Sequence, residues 1–200
     1  MSLREIRIAA GQRNSSALQF HFGGREGLLQ ALAQRHLPRL AAIQDRLYAN
    51  LVAAGGRDDL GGLVEVLVRP QADYVRLGSS ERAWIMVCAE QAARPDVVLA
   101  DVLGNAPATA LHVGAAIHER LAPTLGPGLA IERIVAVATA CLHLSADRAR
   151  AEDALVLPAA ASIRPTLAFE AWRDNLLDMA VAAISALARD RSAAGGALRS

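Results

Sequence analysis

Apolar side chains recur every three or four positions in segment after segment of this chain, and its β-branched residues form no alternating run. Such spacing is typical of amphipathic helices and not of strands. Alanine is abundant and aromatic residues make up only 4% of the chain, which also favours helices. We therefore predict an all-α fold. The 200 residues are enough for a small head and a larger body.

Turn residues divide the body into separate helices. The predicted helical segments are 25–51, 59–77, 81–93, 107–121, 129–144 and 166–188. Pro38 predicts a kink or a split in the first of them, while Pro123 and the segment 126–128 indicate a turn. Residues 145–165 are charged and then rich in alanine and proline, which indicates a long connection. The predicted domains are a head over 1–36, a body over 37–190 and a tail over 191–200.

The first 32 residues carry the most specific pattern of the sequence. A predicted helix over 2–10 begins with Ser2 as its cap and ends at Gly11. A polar turn over 12–14 follows, and a second short helix begins near Ser15 or Ser16. Leu18 and Phe22 are expected to point into the core, which leaves small and hydrogen-bonding side chains outside. A helix, a turn with glycine and a second short helix are typical of a helix-turn-helix that enters a major groove.

These residues resemble the DNA-binding motif of the tetracycline-repressor (TetR) family of bacterial transcription regulators. The matching positions are Ser2, Ile6, Ala10, Gly11, His21, Phe22 and Leu28. Phe20 replaces the usual tyrosine, Arg25 replaces the usual lysine, and the turn is one residue longer than the commonest family spacing. The family also has a helix before this motif, whereas Met1 directly precedes Ser2 here. The expectation is either a start assigned too late or an incomplete, loosely packed head that binds DNA weakly.

The resemblance implies a homodimer that binds double-stranded DNA at a palindromic operator and responds to a small-molecule effector. The predicted DNA-binding residues are Ser2, Gln12, Arg13, Asn14, Ser15, Ser16, Gln19, Phe20, His21 and Arg25. Ser2 and Arg25 are expected on phosphates, and Arg13, Asn14, Ser16 and Gln19 are expected near base edges. The charge is consistent with contact at one end, because residues 1–40 hold six arginines and two glutamates while the whole chain has a net charge of +1.

The last two predicted helices show more apolar surface than one partner can cover, so we expect a four-helix dimer seam, which is also where the resembled family dimerises. The residues predicted for this seam are Ile134, Val135, Ala138, Cys141, Leu142, Leu176, Leu177, Ala180, Val181 and Ile184. The resemblance also implies an effector pocket among the central helices. The aromatic, soft or polar side chains available there are Tyr74, Trp84, Met86, His112 and His118. Packing of both sets within one chain is the alternative.

Nothing in the sequence indicates catalysis, a metal or another cofactor. His112 and His118 are six positions apart, which does not put both rings on one side of a helix, and no nucleophile elbow or phosphate-binding glycine loop occurs. Cys88 and Cys141 form no CxxC pair, which favours free thiols in a reducing cytoplasm. No signal peptide or membrane span is expected. An effector-binding dimer without DNA binding and an all-α enzyme remain the alternatives to a regulator.

Overall fold

The structure is a computed structural model that describes residues 17–94, 106–154 and 167–186. Within these ranges the chain forms helices and no strand, so the predicted all-α class is confirmed. The helices are α1 (Ala17–Phe22), α2 (Arg25–Ala53), α3 (Leu60–Tyr74), α4 (Ser79–Ala92), α5 (Ala108–Leu125), α6 (Pro127–Ala154) and α7 (Phe169–Ser185). The predicted helix over 2–10 and the tail over 191–200 lie outside the described residues.

A two-glycine turn joins the short helix α1 to the long helix α2. Gly23 and Gly24 have φ angles of 66° and 126°, in the region that side-chain-bearing residues rarely adopt. After this turn α2 continues for 29 residues through the exposed Pro38, so of the predicted kink or split at this proline the split is wrong. The predicted boundary at residue 36 therefore falls inside a continuous helix, which leads from α1 into the body.

Helix α3 lies at the centre of the body. The Asp59 carboxylate caps its first turn and accepts hydrogen bonds from the Gly61 and Gly62 amides at 3.2 and 2.9 Å. The side chains of Leu63 and Val64 are 0% exposed, because α2, α5, α6 and α7 all pack around this helix. The remaining face of α3 carries the charged residues Glu65, Arg69 and Asp73, where Arg69 pairs with both carboxylates.

Helices α5 and α6 are longer than predicted. Helix α5 continues past Pro123 to Leu125, and Gly126, with a φ of 79°, makes the turn before Pro127 opens α6. Helix α6 continues ten residues beyond the predicted end at 144. Its added turns bury Ala146 and Ala149 against α4, and they contain an Arg148–Glu152 ion pair one turn apart.

The apolar core has two parts. The first is formed by α3, α5, α6 and α7, and its fully buried members include Leu63, Val113, Ile117, Leu176 and Ile184. The second lies where α4, the end of α6 and the start of α7 meet the middle of α2, and it contains Tyr74, Trp84, Ile85, Ala149 and Phe169. Helix α2 contacts both parts, so it is attached to the body along much of its length.

One described helix, over Pro127–Asp153, is long and apolar enough to cross a membrane, with a mean hydropathy of 1.5. Length and composition alone carry little weight here, because the core helix of a water-soluble protein satisfies the same criteria.

Candidate functional site

Helix α1 presents aromatic and polar side chains to solvent. Phe20 is 84% exposed, and the neighbouring His21 and Phe22 are also exposed, so the prediction that Phe22 points into the core is wrong. Arg25 is half-buried at the start of α2. The Phe20 ring contacts His21 edge to face, with centroids 5.3 Å apart, and the rest of its surface faces solvent.

The other predicted DNA-binding residues are placed less fully. Gln19 belongs to α1, although its side chain lies outside the description. Ser2, Gln12, Arg13, Asn14, Ser15 and Ser16 lie outside the described residues. Their assignment to DNA stays a prediction.

A cavity of about 500 Å³ opens between α5 and α6, with Leu67 of α3 in its wall. Its other walls are apolar or small residues from one face of each helix: Leu111, Gly114 and Ala115 from α5, and Ile131, Ile134, Val135 and Ala138 from α6. Its polar lining residues are His118, Glu119 and Thr139. An apolar cavity of this size with a few polar groups has the character of a small-molecule site.

One imidazole, one carboxylate and one hydroxyl are the polar groups of the cavity. His118 Nε2 lies 3.2 Å from the Pro127 carbonyl oxygen, which can only accept, so Nε2–H is the donor of this bond. Glu119 is exposed and adds a carboxylate at the edge of the cavity.

The face of α5 away from the cavity is joined to α2 by two hydrogen bonds. Thr109 Oγ1 donates to Asp45 Oδ1 at 2.5 Å, and Tyr48 Oη lies 2.8 Å from His112 Nε2. The two α2 residues are three positions apart, as are the two on α5, so each helix contributes successive turns of one face. We call these two hydrogen bonds the α2–α5 polar contacts. They connect the wall of the cavity to the helix that follows α1.

A second group of polar side chains fixes α2 to α3 and α4. His36 is 2% exposed, and its Nδ1 lies 2.9 Å from Tyr74 Oη. Its ring stacks on Trp84 with centroids 5.2 Å apart and planes inclined by 8°. Burial, reinforced by the positive charge of Arg35, lowers the pKa of His36 below its ordinary value. The ring is therefore a neutral member of the core.

An ion pair lies beside this group. Arg39 of α2 pairs with the buried Glu81 of α4, and the Arg39 guanidinium carbon lies 6.0 Å from the centre of the Tyr74 ring. Among the described residues, the indole Nε1 of Trp84 is a buried donor without a hydrogen-bond partner. Two charged groups and three rings thus hold the middle of α2 in place.

The predicted effector residues do not come together. Tyr74, Trp84 and Met86 belong to the second core, and His112 faces α2, so only His118 lines the cavity. The prediction selected aromatic and soft side chains, whereas the cavity lies where α5 has the small residues Ala110, Gly114 and Ala115. The four-residue spacing of Ala110, Gly114 and His118 was the available signal for this face.

Several residues predicted for the dimer seam are core residues of the protomer. Cys141, Leu176, Ala180 and Ile184 are at most 3% exposed because α3 and neighbouring helices cover them, so their assignment to the seam is wrong. Ile134 is 8% exposed, and with Val135 and Ala138 it lines the cavity. Leu142, Leu177 and Val181 are half-buried against the core. The exposed faces of the two helices contain different apolar residues: Ala136, Ala140, Leu144, Met179 and Ala183.

The thiols of Cys88 and Cys141 are not activated as nucleophiles. Burial raises the pKa of Cys88 to about 12 and that of Cys141 to about 11, so both stay protonated near neutral pH. Among the residues that the structure describes, no three His, Cys, Asp or Glu side chains are grouped to hold a metal ion.

No family model, curated protein or solved structure matches this chain.

Proposed function

We propose that this chain is a transcription regulator that binds a palindromic DNA operator as a homodimer and is released from it by a small-molecule effector. The observation that carries the proposal is the exposed helix α1, joined by a two-glycine turn to a 29-residue helix that is anchored in both parts of the core. A rigid helix of this kind would transmit a movement of the body to α1. The TetR-like motif in the sequence supports assigning α1 to the major groove.

The charge distribution and the cavity support the same proposal. Residues 1–40 are basic while the remainder of the chain is slightly acidic, which suits contact with phosphates at one end. The cavity between α5 and α6 would hold the effector. The exposed faces of α6 and α7, which include Leu144 and Met179, would form the dimer seam, which sets the distance between two half-sites.

The test is DNA binding by the full chain, measured by fluorescence anisotropy on the DNA flanking its own gene. Phe20→Ala should weaken binding by roughly tenfold without lowering Tm, because the ring is 84% exposed and packs little in the protein. Arg25→Ala should weaken all sequences alike and reduce the slope of log K against log salt by about 1. Gln19→Ala should instead alter sequence preference in a randomised-site selection.

The matched control is Arg150→Ala, which removes the same charge from the exposed end of α6. It should leave DNA affinity unchanged. Failure of the unaltered chain to bind any selected sequence would favour an effector-binding dimer without DNA binding. Equal losses in Arg150→Ala and Arg25→Ala would contradict the assignment of α1 as the DNA-binding surface.

A further inference from the structure

We infer that the cavity between α5 and α6 binds a lipophilic cation, meaning a hydrocarbon-rich molecule of drug size with one protonated amine or fixed positive charge. The inference deepens the proposed function, since it names the chemical class of the effector. Its test uses no DNA, so its outcome is independent of whether α1 binds an operator.

Size and polarity favour a hydrocarbon-rich ligand. The volume of about 500 Å³ falls within the range of roughly 300–1,000 Å³ that drug-sized ligands occupy. Leu111 and Ile131 line the cavity and remain 42% and 40% exposed. A ligand that covers these side chains removes apolar surface from water, which supplies the main driving force for binding.

Small residues on α5 create the space. A Cβ atom built on Gly114 meets no atom within 4 Å, although this glycine lies in the middle of an 18-residue helix. A glycine in the middle of a helix makes that helix less stable than an alanine would. Ala110 and Ala115, which also line the cavity, have short side chains that leave space open on this side. The small residues of α5 therefore contribute to the open volume.

The charge of the residues that line the cavity favours a positively charged ligand. Glu119 is the one charged side chain among the described residues that line the cavity, and it is exposed at the edge. The neighbouring Arg120 is held by Asp58 and by the carbonyl oxygen of Ala116. Arg133 on α6 donates to the carbonyl oxygen of Ile184. With both guanidinium groups bound elsewhere, the charge that the described lining offers is the Glu119 carboxylate, which suits a cation.

The experiment compares two ions of the same shape and opposite charge, tetraphenylphosphonium and tetraphenylborate, by isothermal titration calorimetry with the full chain at low salt. The phosphonium should bind with one site per chain. Glu119→Gln should weaken phosphonium binding about fivefold and strengthen borate binding by a similar factor, as expected for one charge pair near solvent. Glu132→Gln is the matched control, because this exposed carboxylate on α6 does not line the cavity, and it should change neither affinity.

A second variant tests the location. Gly114→Leu should fill the cavity and abolish binding of both the phosphonium and the neutral dye N-phenyl-1-naphthylamine, while Tm stays the same or rises by roughly 2 °C. Gly128→Leu is the control, since its Cβ also meets nothing within 4 Å but lies outside the cavity. It should keep both affinities.

Three results would overturn the inference. Ion affinities that do not respond to Glu119→Gln would remove the charge argument. Dye or phosphonium binding that survives Gly114→Leu would place the site elsewhere. Conversion of a dimer to a monomer by Gly114→Leu in sedimentation analysis would assign this surface to a second copy of the chain.

Discussion

The buried hydrogen bond between His36 and Tyr74 should make a measurable contribution to stability. Tyr74 is 0% exposed and His36 is 2% exposed, so neither polar group can turn to water if the other is removed. Tyr74→Phe leaves the ring nitrogen of His36 unpaired, and His36→Leu leaves the Tyr74 hydroxyl unpaired. Each change should lower the free energy of unfolding by about 1–3 kcal/mol. For a chain of this size that corresponds to a fall in Tm of roughly 2–12 °C.

The double variant separates the hydrogen bond from ordinary packing. With both polar groups gone, no unpaired group remains, so His36→Leu with Tyr74→Phe should cost at least about 1 kcal/mol less than the sum of the single changes. Urea denaturation of the four proteins at pH 7.5 measures all three differences. If the single effects add within about 0.5 kcal/mol, the hydrogen bond does not couple the two residues and the argument fails.

Three further outcomes are expected. The pKa of His36 is lowered in the folded chain, so the contribution of this residue to the free energy of unfolding is present above about pH 6.5 and is lost as pH falls through the folded pKa. Urea titrations from pH 7.5 to 5 should therefore show a smaller decline in the free energy of unfolding for His36→Leu than for the unaltered chain. Ile117→Ala should cost about 2–5 kcal/mol in urea denaturation, because its side chain is 0% exposed, whereas Ile131→Ala, at 40% exposed, should cost less than half as much. Asp59→Ala should remove the cap of α3 and lower the free energy of unfolding, measured by urea denaturation, by about 0.5–2 kcal/mol.

Helical periodicity predicted most of the fold, because each body helix buries one apolar face and that face is visible in the spacing of its residues. The ends were harder to predict. The last turns of α6 contain four charged residues in the segment 147–152, which resembles a connection in composition, yet Ala146 and Ala149 give them a buried face. The charged residues of this segment make its narrow apolar face, formed by alanines, hard to recognise in the sequence.

The candidate sites were harder to predict than the helices because they depend on pairs of residues far apart in sequence. His36 and Tyr74 are separated by 38 positions, and nothing local to either indicates the other. The cavity lies beside glycine and alanine residues of α5. A glycine within a helix does not indicate by itself which neighbouring helix it faces. The effector pocket was predicted from aromatic residues instead, and two of these, Tyr74 and Trp84, belong to the second core.

Helix α5 is the element through which the cavity and α2 can influence each other. Its Gly114 and His118 face the cavity, while its Thr109 and His112 make the polar contacts with Asp45 and Tyr48. Both contacts are exposed to solvent, so each is worth about 0.5–1.5 kcal/mol and the pair about 1–3 kcal/mol. A coupling free energy between two ligand sites is typically about 1–3 kcal/mol. In the proposed regulator, a ligand that shifts α5 would break these contacts. To change the position of α2 it would also have to shift Leu47 and Leu51 on the first core and the hydrogen bond from Gln44 to the Val66 carbonyl oxygen. The anchor formed by His36, Tyr74 and Trp84 would stay intact and act as the pivot.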